Sequence, residues 1–86
     1  MKELTHYLAK ALVDKPDEVS VVETAGEGVT ILEIRVAQED VGKVIGREGR
    51  IINAIRTIVK AAAAKQHQKV TVEILTPDEK PKEAQA

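Results

Sequence analysis

The sequence predicts one α+β domain in which a three-stranded sheet packs on helices, with elements in the order α-β-β-α-α-β. The chain has 86 residues, the size of a single small domain. Segments with helical spacing of apolar residues are interspersed with short segments rich in β-branched residues, which is typical of mixed helix and strand. We expect the domain to occupy residues 1–75 and residues 76–86 to form a disordered tail.

The first helix is predicted over residues 3–13 from apolar residues spaced three and four apart. These residues are Leu4, Tyr7, Leu8, Ala11 and Leu12. The helix should end near residues 14–15, because Pro16 disfavours helical geometry in the residue before it.

A β-hairpin should follow. Residues 19–24 are rich in β-branched side chains and are predicted as a strand, and Gly26-Glu27-Gly28 supplies a turn. Residues 29–36 are predicted as the second strand, with apolar and charged residues alternating from residue 32 onward. Within this second strand Leu32, Ile34 and Val36 share one face. The apolar face should therefore point into the core.

The second half of the domain is predicted as two helices and a strand. Residues 39–45 form a short helix, with the acidic pair Glu39-Asp40 as favourable charge at its start. Residues 50–65 form a long helix rich in Ile and Ala, and residues 69–75 alternate as a third strand. Residues 76–86 contain two prolines and few apolar side chains, which favours disorder.

The composition excludes several classes of protein. No cysteine is present, so disulfides, thiolate metal sites and thiol catalysis are excluded. His6 and His67 are far apart, and no cluster has metal-ligand spacing, so we expect neither a metal nor another cofactor. A domain this small has little volume for a deep catalytic pocket, and we expect no enzyme. No apolar segment approaches the roughly 20 residues of a membrane span, and we expect a cytoplasmic protein.

Charge is concentrated in one part of the chain. The net charge is −1, yet residues 43–60 contain five basic residues against the single acid Glu48. The basic residues are Lys43, Arg47, Arg50, Arg56 and Lys60. This pattern favours a local anionic ligand, and the alternative is a solvated helix face. Tyr7 is the sole aromatic residue, which excludes readers that stack bases on aromatic platforms.

The segment Gly46-Arg47-Glu48-Gly49 lies between the two central helices. Two glycines three apart permit a tight loop with positive φ and a close approach of another backbone. The following helix begins with unpaired amides that attract anions, and Arg47 and Arg50 add positive charge. Val44 and Ile45 are candidates for a groove wall. A Walker loop is excluded because it needs four residues between its glycines, and a Rossmann fingerprint requires a preceding strand.

The segment VIGREGRIINAIR, residues 44–56, resembles the signature of KH domains, in which a GxxG loop clamps a nucleic-acid backbone. The element order resembles the type II, bacterial form of that fold. The resemblance implies that Gly46, Arg47, Glu48 and Gly49 clamp single-stranded RNA, flanked by Lys43, Val44, Ile45 and Arg50. It also implies an RNA chaperone or post-transcriptional regulator that forms a homodimer or pairs with a second KH protein.

Two other functions compete with this interpretation. A helix-turn-helix could read duplex DNA, although the long helix is apolar over most of its circumference. A protein-interaction module could use the GxxG segment merely as a turn. A preference for single-stranded DNA over RNA is left open as well.

The long helix also predicts a dimer. Apolar positions between residues 51 and 63 span about 200° of its circumference, against the roughly 100° that one buried face needs. We expect Ile51, Ile55 and Ala62 to face the sheet. Of the two flanks, we favour Ala54, Ile58 and Ala61 as the tentative dimer interface over Ile52, Val59 and Ala63. In the alternative, the first helix covers the Ile58 flank within the monomer.

Overall fold

Six regular elements follow one another in the predicted order. The computed structural model describes residues 1–75, so the prediction for residues 76–86 lies outside the described residues. The elements are α1 (Lys2–Leu12), β1 (Ser20–Ala25), β2 (Thr30–Arg35), α2 (Val41–Ile45), α3 (Arg50–Lys65) and β3 (Val70–Leu75). Short 3₁₀ turns occupy Pro16–Glu18, Gln38–Asp40 and Arg47–Gly49. The turn at Gln38–Asp40 delays the second helix by two residues relative to the prediction.

The three strands form one mixed sheet in the order β1-β2-β3. β1 and β2 pair antiparallel as a hairpin, whereas β3 pairs parallel with β2. A parallel pair requires a crossover connection, and α2, the 46–49 loop and α3 form it. The candidate binding loop therefore belongs to the connection that joins the central strand to the last strand.

The core lies between the inner face of the sheet and the helices. Leu32 and Ile34 are fully buried, Val36 is nearly so, and the predicted alternation of β2 is confirmed. The register places Ile34 between Val21 and Ile74, which forms an apolar row across all three strands, and it places Leu32 beside Val72. The helices complete this core with the buried residues Ala9, Val44, Ile52, Ile55, Val59 and Ala63.

The predicted orientation of α3 is wrong in part. Ile55 faces the sheet as expected, but the other buried positions are Ile52, Val59 and Ala63, whereas Ile51 and Ala62 are only partly buried. The helix is rotated toward that flank, which places the β-branched Ile52 and Val59 in the core. Since the apolar arc is wider than one buried face, helical periodicity alone did not determine this rotation.

The opposite flank of α3 is open in the single chain. Ile58 is 47% exposed, and Ala54 and Ala61 are exposed as well. The alternative in which α1 covers this flank is therefore wrong.

Candidate nucleic-acid interface

The loop between α2 and α3 has a backbone conformation that glycine makes possible. α2 ends at Gly46, with φ 77° and ψ 174°, a region populated almost only by glycine. Glu48 and Gly49 also have positive φ, in the left-handed helical region. The amide of Gly46 donates to the Gly42 carbonyl at 2.9 Å, and that of Gly49 to the Gly46 carbonyl at 3.2 Å. Backbone hydrogen bonds thus define the shape of the loop.

A close contact fixes the loop against the next helix. A Cβ atom on Gly46 would lie 2.6 Å from Cγ1 of Ile51, far inside van der Waals distance. The absence of a side chain at Gly46 therefore lets the first turn of α3 pack directly on the loop. A Cβ atom on Gly49 would meet no atom closer than 3.8 Å. Glycine is therefore favoured at this position by the positive φ alone.

The N-terminus of α3 carries no side-chain cap. Gly49 occupies the N-cap position, and no side-chain hydrogen bond caps the helix. The amide of Arg50 donates to the Arg47 carbonyl, which closes the 3₁₀ turn. The first amides of a helix lack intrahelical acceptors, and the helix dipole makes this end favourable for an anion.

The two loop arginines differ in their surroundings. Arg47 is exposed and makes no ion pair within residues 1–75. The Arg50 side chain is 78% exposed, and its Nη2 lies 3.7 Å from Oε1 of Glu48. An exposed pair of this kind is worth little in free energy. The pair places Glu48, the acidic residue of the loop, beside Arg50 and not beside Arg47.

The three residues that precede the loop have different environments. Val44 is fully buried and Ile45 is partly buried against the core, so Val44 has no surface for a ligand and instead anchors α2. Lys43 Nζ lies 3.2 Å from Oδ2 of Asp14 and 3.6 Å from Oδ1 of Asp40. Hydrogen bonding to Asp14, together with the charges of both carboxylates, raises the pKa of Lys43.

The basic residues of α3 do not form one continuous surface. Arg56 links α3 to β3. Its Nε donates a hydrogen bond to the Val72 carbonyl at 2.9 Å, and its Nη2 lies 3.5 Å from Oε1 of Glu73. Lys60 lines an open cleft with Lys69 beside the start of β3, about 15 Å along the helix from Arg50. Only Arg47, Arg50 and, one turn earlier, Lys43 remain near the loop.

Sequence reasoning missed the role of Asp40. Its side chain is fully buried, and its Oδ2 accepts a hydrogen bond from the backbone N–H of Lys15 at 3.0 Å. Burial acts to raise the pKa of Asp40, but the backbone amides of Lys15 and Asp14 and the positive charge of Lys43 outweigh it and lower that pKa. Glu39 pairs with the Lys15 ammonium. The only sequence signal was the spacing of Asp40 and Lys43, which does not reveal the partner at Lys15.

Residues 1–75 contain neither a candidate metal site nor a helix that could cross a membrane. Within residues 1–75, no three His, Cys, Asp or Glu side chains lie together where they could hold a metal ion. No helix in this part of the chain is long and apolar enough to cross a membrane.

The mixed three-stranded sheet, the helix order and a GxxG loop inside the crossover define a type II KH domain. Comparison with protein families agrees with this class. The KhpA/KhpB KH-domain model matches residues 2–74, and the chain belongs to this family.

Curated relatives match over almost the same range. The RNA-binding protein KhpA of Clostridium perfringens is 60% identical over 75 residues, covering 87% of this chain and 100% of the relative. KhpA of Treponema pallidum is 51% identical over 74 residues, covering 86% of this chain and 92% of the relative. KhpA of Chlamydia trachomatis is 48% identical over 75 residues, covering 87% and 96%.

Solved structures of the protein Era share the fold at low sequence identity. Aquifex aeolicus Era bound to GDP and aluminium fluoride superposes with a TM-score of 0.61 at 18% identity, covering 88% of this chain and 31% of Era. Era in complex with a segment of 16S ribosomal RNA gives a TM-score of 0.59 at 17% identity, covering 88% and 30%. The chain thus spans about a third of Era, and this likeness establishes the fold alone.

Proposed function

We propose that this protein binds single-stranded RNA by holding backbone phosphates at the Gly46–Gly49 loop. One observation carries the proposal: a loop shaped by glycines leads into the uncapped N-terminus of α3, with the exposed Arg47 beside it. Backbone amides, a helix dipole and a guanidinium with no ion pair in residues 1–75 all favour a phosphate there. The curated relatives are named RNA-binding proteins, which supports RNA as the ligand.

The proposed contacts divide among the residues of the site. Gly46 and Gly49 give the loop the backbone conformation that receives the phosphate, and Arg47 and Arg50 supply charge. Glu48 shapes the loop and moderates its affinity. Ile45 is the partly buried apolar side chain next to the loop, Val44 anchors α2 from the core, and Lys43 provides an additional cation. The site has no aromatic side chain, so binding depends on phosphate contacts rather than base stacking.

Binding of this kind suits an RNA chaperone or post-transcriptional regulator in the cytoplasm rather than an enzyme. Few cations surround the loop, and Glu48 offsets part of their charge. Weak, reversible contacts allow such a protein to release RNA readily. The absence of cysteine is compatible with a reducing cytoplasm.

A second proposal concerns protein partners. The flank of α3 formed by Ala54, Ile58 and Ala61 is exposed in the single chain, with Ile58 47% exposed. Small alanines on either side of Ile58 permit close approach of another helix. We propose that this flank forms a homodimer across a two-fold axis, or a heterodimer with a second, KhpB-like KH protein.

Fluorescence anisotropy with three labelled oligonucleotides tests the RNA proposal. Single-stranded RNA, single-stranded DNA of the same sequence and duplex DNA are titrated with protein at several salt concentrations. We expect RNA to bind best, with log K falling by about 2 to 3 per unit of log salt, since each neutralised phosphate contributes about 0.7. Stronger binding to the duplex would favour a DNA-reading protein. No binding to any of the three would favour a protein-interaction module.

A further inference from the structure

Lys43 occupies a position between two possible partners. It lies on α2, one helical turn after Asp40 and one turn before Gly46. Side chains three apart on a helix are neighbours, with Cβ atoms about 5–6 Å apart. The flexible four-carbon stem of a lysine can therefore extend toward Asp40 or toward the loop.

In the free protein the Lys43 ammonium is paired with two carboxylates. It lies between Asp14, at 3.2 Å, and Asp40, at 3.6 Å. The two carboxylates are not equivalent. Asp40 is fully buried and also holds the Lys15 amide, whereas the Asp14 side chain is 75% exposed. Asp40 therefore has a structural role, whereas the exposed Asp14 side chain is free to release Lys43.

The buried carboxylate is incompletely satisfied. Oδ1 of Asp40 accepts no hydrogen bond in the described part of the chain, and Lys43 supplies positive charge 3.6 Å from it. A buried carboxylate oxygen without a hydrogen bond is costly unless a cation lies nearby. The Lys43 ammonium is therefore held beside Asp40 by the negative charge of this buried carboxylate, and it is also held by Asp14.

We infer that Asp14 and Asp40 form a latch on Lys43 which an RNA phosphate at the loop must open. This inference rests on the proposed function. In the latched state Lys43 ties the segment that follows α1 to α2, and in the RNA-bound state its ammonium moves to a phosphate beside Gly46. Asp14 is then a positioning residue that lowers RNA affinity by competing for Lys43.

Asp14→Asn tests the latch because it removes the competing charge without changing the size of the side chain. We expect RNA affinity to increase about two- to fivefold, the range that corresponds to an exposed ion pair. The melting temperature should fall slightly, since the ion pair between α2 and the segment that follows α1 is lost. A purely structural role for Asp14 predicts a lower melting temperature together with weaker RNA binding.

Two further variants separate the latch from a general effect of charge. Glu39→Gln removes a negative charge from the same network, but Glu39 pairs with Lys15 rather than Lys43. We expect RNA affinity to stay close to that of the wild type. Lys43→Met removes the latched cation, and in this background Asp14→Asn should no longer strengthen binding.

The results distinguish the latch from the proposed function. Equal gains in affinity from Asp14→Asn and Glu39→Gln, or a gain that persists with Lys43→Met, would overturn the latch while leaving RNA binding intact. Unchanged or weaker binding by Asp14→Asn would overturn it too. A wild-type protein that fails to bind RNA would overturn the proposed function, and the latch with it.

Discussion

Ile58 and Val59 are neighbours in sequence but lie on opposite sides of the boundary between surface and core. Ile58 is 47% exposed, whereas Val59 is fully buried. The helical turn of about 100° per residue is sufficient to separate them. One substitution applied to each residue in turn therefore distinguishes a partner interface from the core.

Ile58→Asp is expected to give a folded monomer. At a dimer interface an aspartate would be buried without a partner, which disfavours association, while in the monomer it stays in contact with water. Light scattering at high micromolar concentration should show the wild type as a dimer and the variant as a monomer. Circular dichroism should give both proteins the same helical content.

Val59→Asp is the matched control for the core. A carboxylate in place of a fully buried side chain should unfold a domain of this size. If Ile58→Asp also unfolds the chain, the flank belongs to a core. If the wild type remains monomeric at high concentration, the homodimer is excluded.

The loop glycines should differ in their tolerance of alanine. Gly46→Ala places a Cβ 2.6 Å from Ile51 and requires a φ of 77°, so we expect a loss of about 2 kcal/mol or more. Gly49→Ala meets no close atom and should cost about 1–2 kcal/mol for its positive φ. Urea denaturation of the two variants measures this difference.

Gly42→Ala provides the control for the glycine series. Gly42 lies within α2, and a Cβ there would meet nothing within 4 Å. Alanine favours a helix over glycine by up to about 1 kcal/mol, so the variant should be as stable as the wild type or more so. A smaller loss at Gly46 than at Gly49 would contradict the contact with Ile51.

Replacement of Arg47 and Glu48 together by aspartate should weaken RNA binding strongly without unfolding the protein. Two carboxylates would then face the proposed phosphate position. Loss of charged hydrogen bonds worth about 1.5–3 kcal/mol corresponds to about 10- to 100-fold weaker binding. Both side chains are exposed, and Asp tolerates the left-handed conformation of Glu48. The melting temperature should therefore change little.

Lys2→Asp is a charge-matched control for the loop variant. It makes the same change in net charge at an exposed position in the first turn of α1, where acidic residues suit the helix dipole. RNA binding should be retained apart from a small general electrostatic effect. Equal losses in the two variants would mean that net charge, rather than the loop, controls binding.

Asp40→Asn should change how stability depends on pH. The pKa of Asp40 is lowered from its ordinary value of 3.8. Its stabilising contribution is therefore present above that value and lost as the pH falls through the folded pKa. The asparagine variant lacks this contribution, so the deficit in unfolding free energy that it shows at pH 7 should shrink as the pH falls below 3.8. Asp17→Asn, at an exposed position, controls for the removal of one acidic charge. A deficit that stays constant with pH would contradict the role of the carboxylate.

The fold followed closely from local patterns in the sequence. Alternation in residues 29–36 and helical spacing in residues 3–13 predicted the elements to within a residue or two, because each pattern reflects the contact of one face with a core. The rotation of α3 was not predictable in this way. Its apolar arc exceeds a single face, and the choice of Ile52 and Val59 over Ile51 depends on packing against the sheet.

The loop could be predicted from the sequence, but the long-range contacts of Asp40 and Arg56 could not. Two glycines at fixed spacing indicate a backbone conformation, which is a local property. The contacts of Asp40 with Lys15 and of Arg56 with Val72 join residues far apart in the chain. Arg56 was therefore grouped with the basic residues of the loop, although its guanidinium serves the contact between α3 and β3.

The parallel pairing of β2 with β3 has a consequence for synthesis on the ribosome. The loop is translated before β3, yet β3 supplies the carbonyl that holds Arg56 and the strand that pairs with β2. A nascent chain that has not released β3 from the exit tunnel thus lacks the support that orients α3. We expect such a chain to capture no RNA, and the loop to become competent only once residue 75 has emerged.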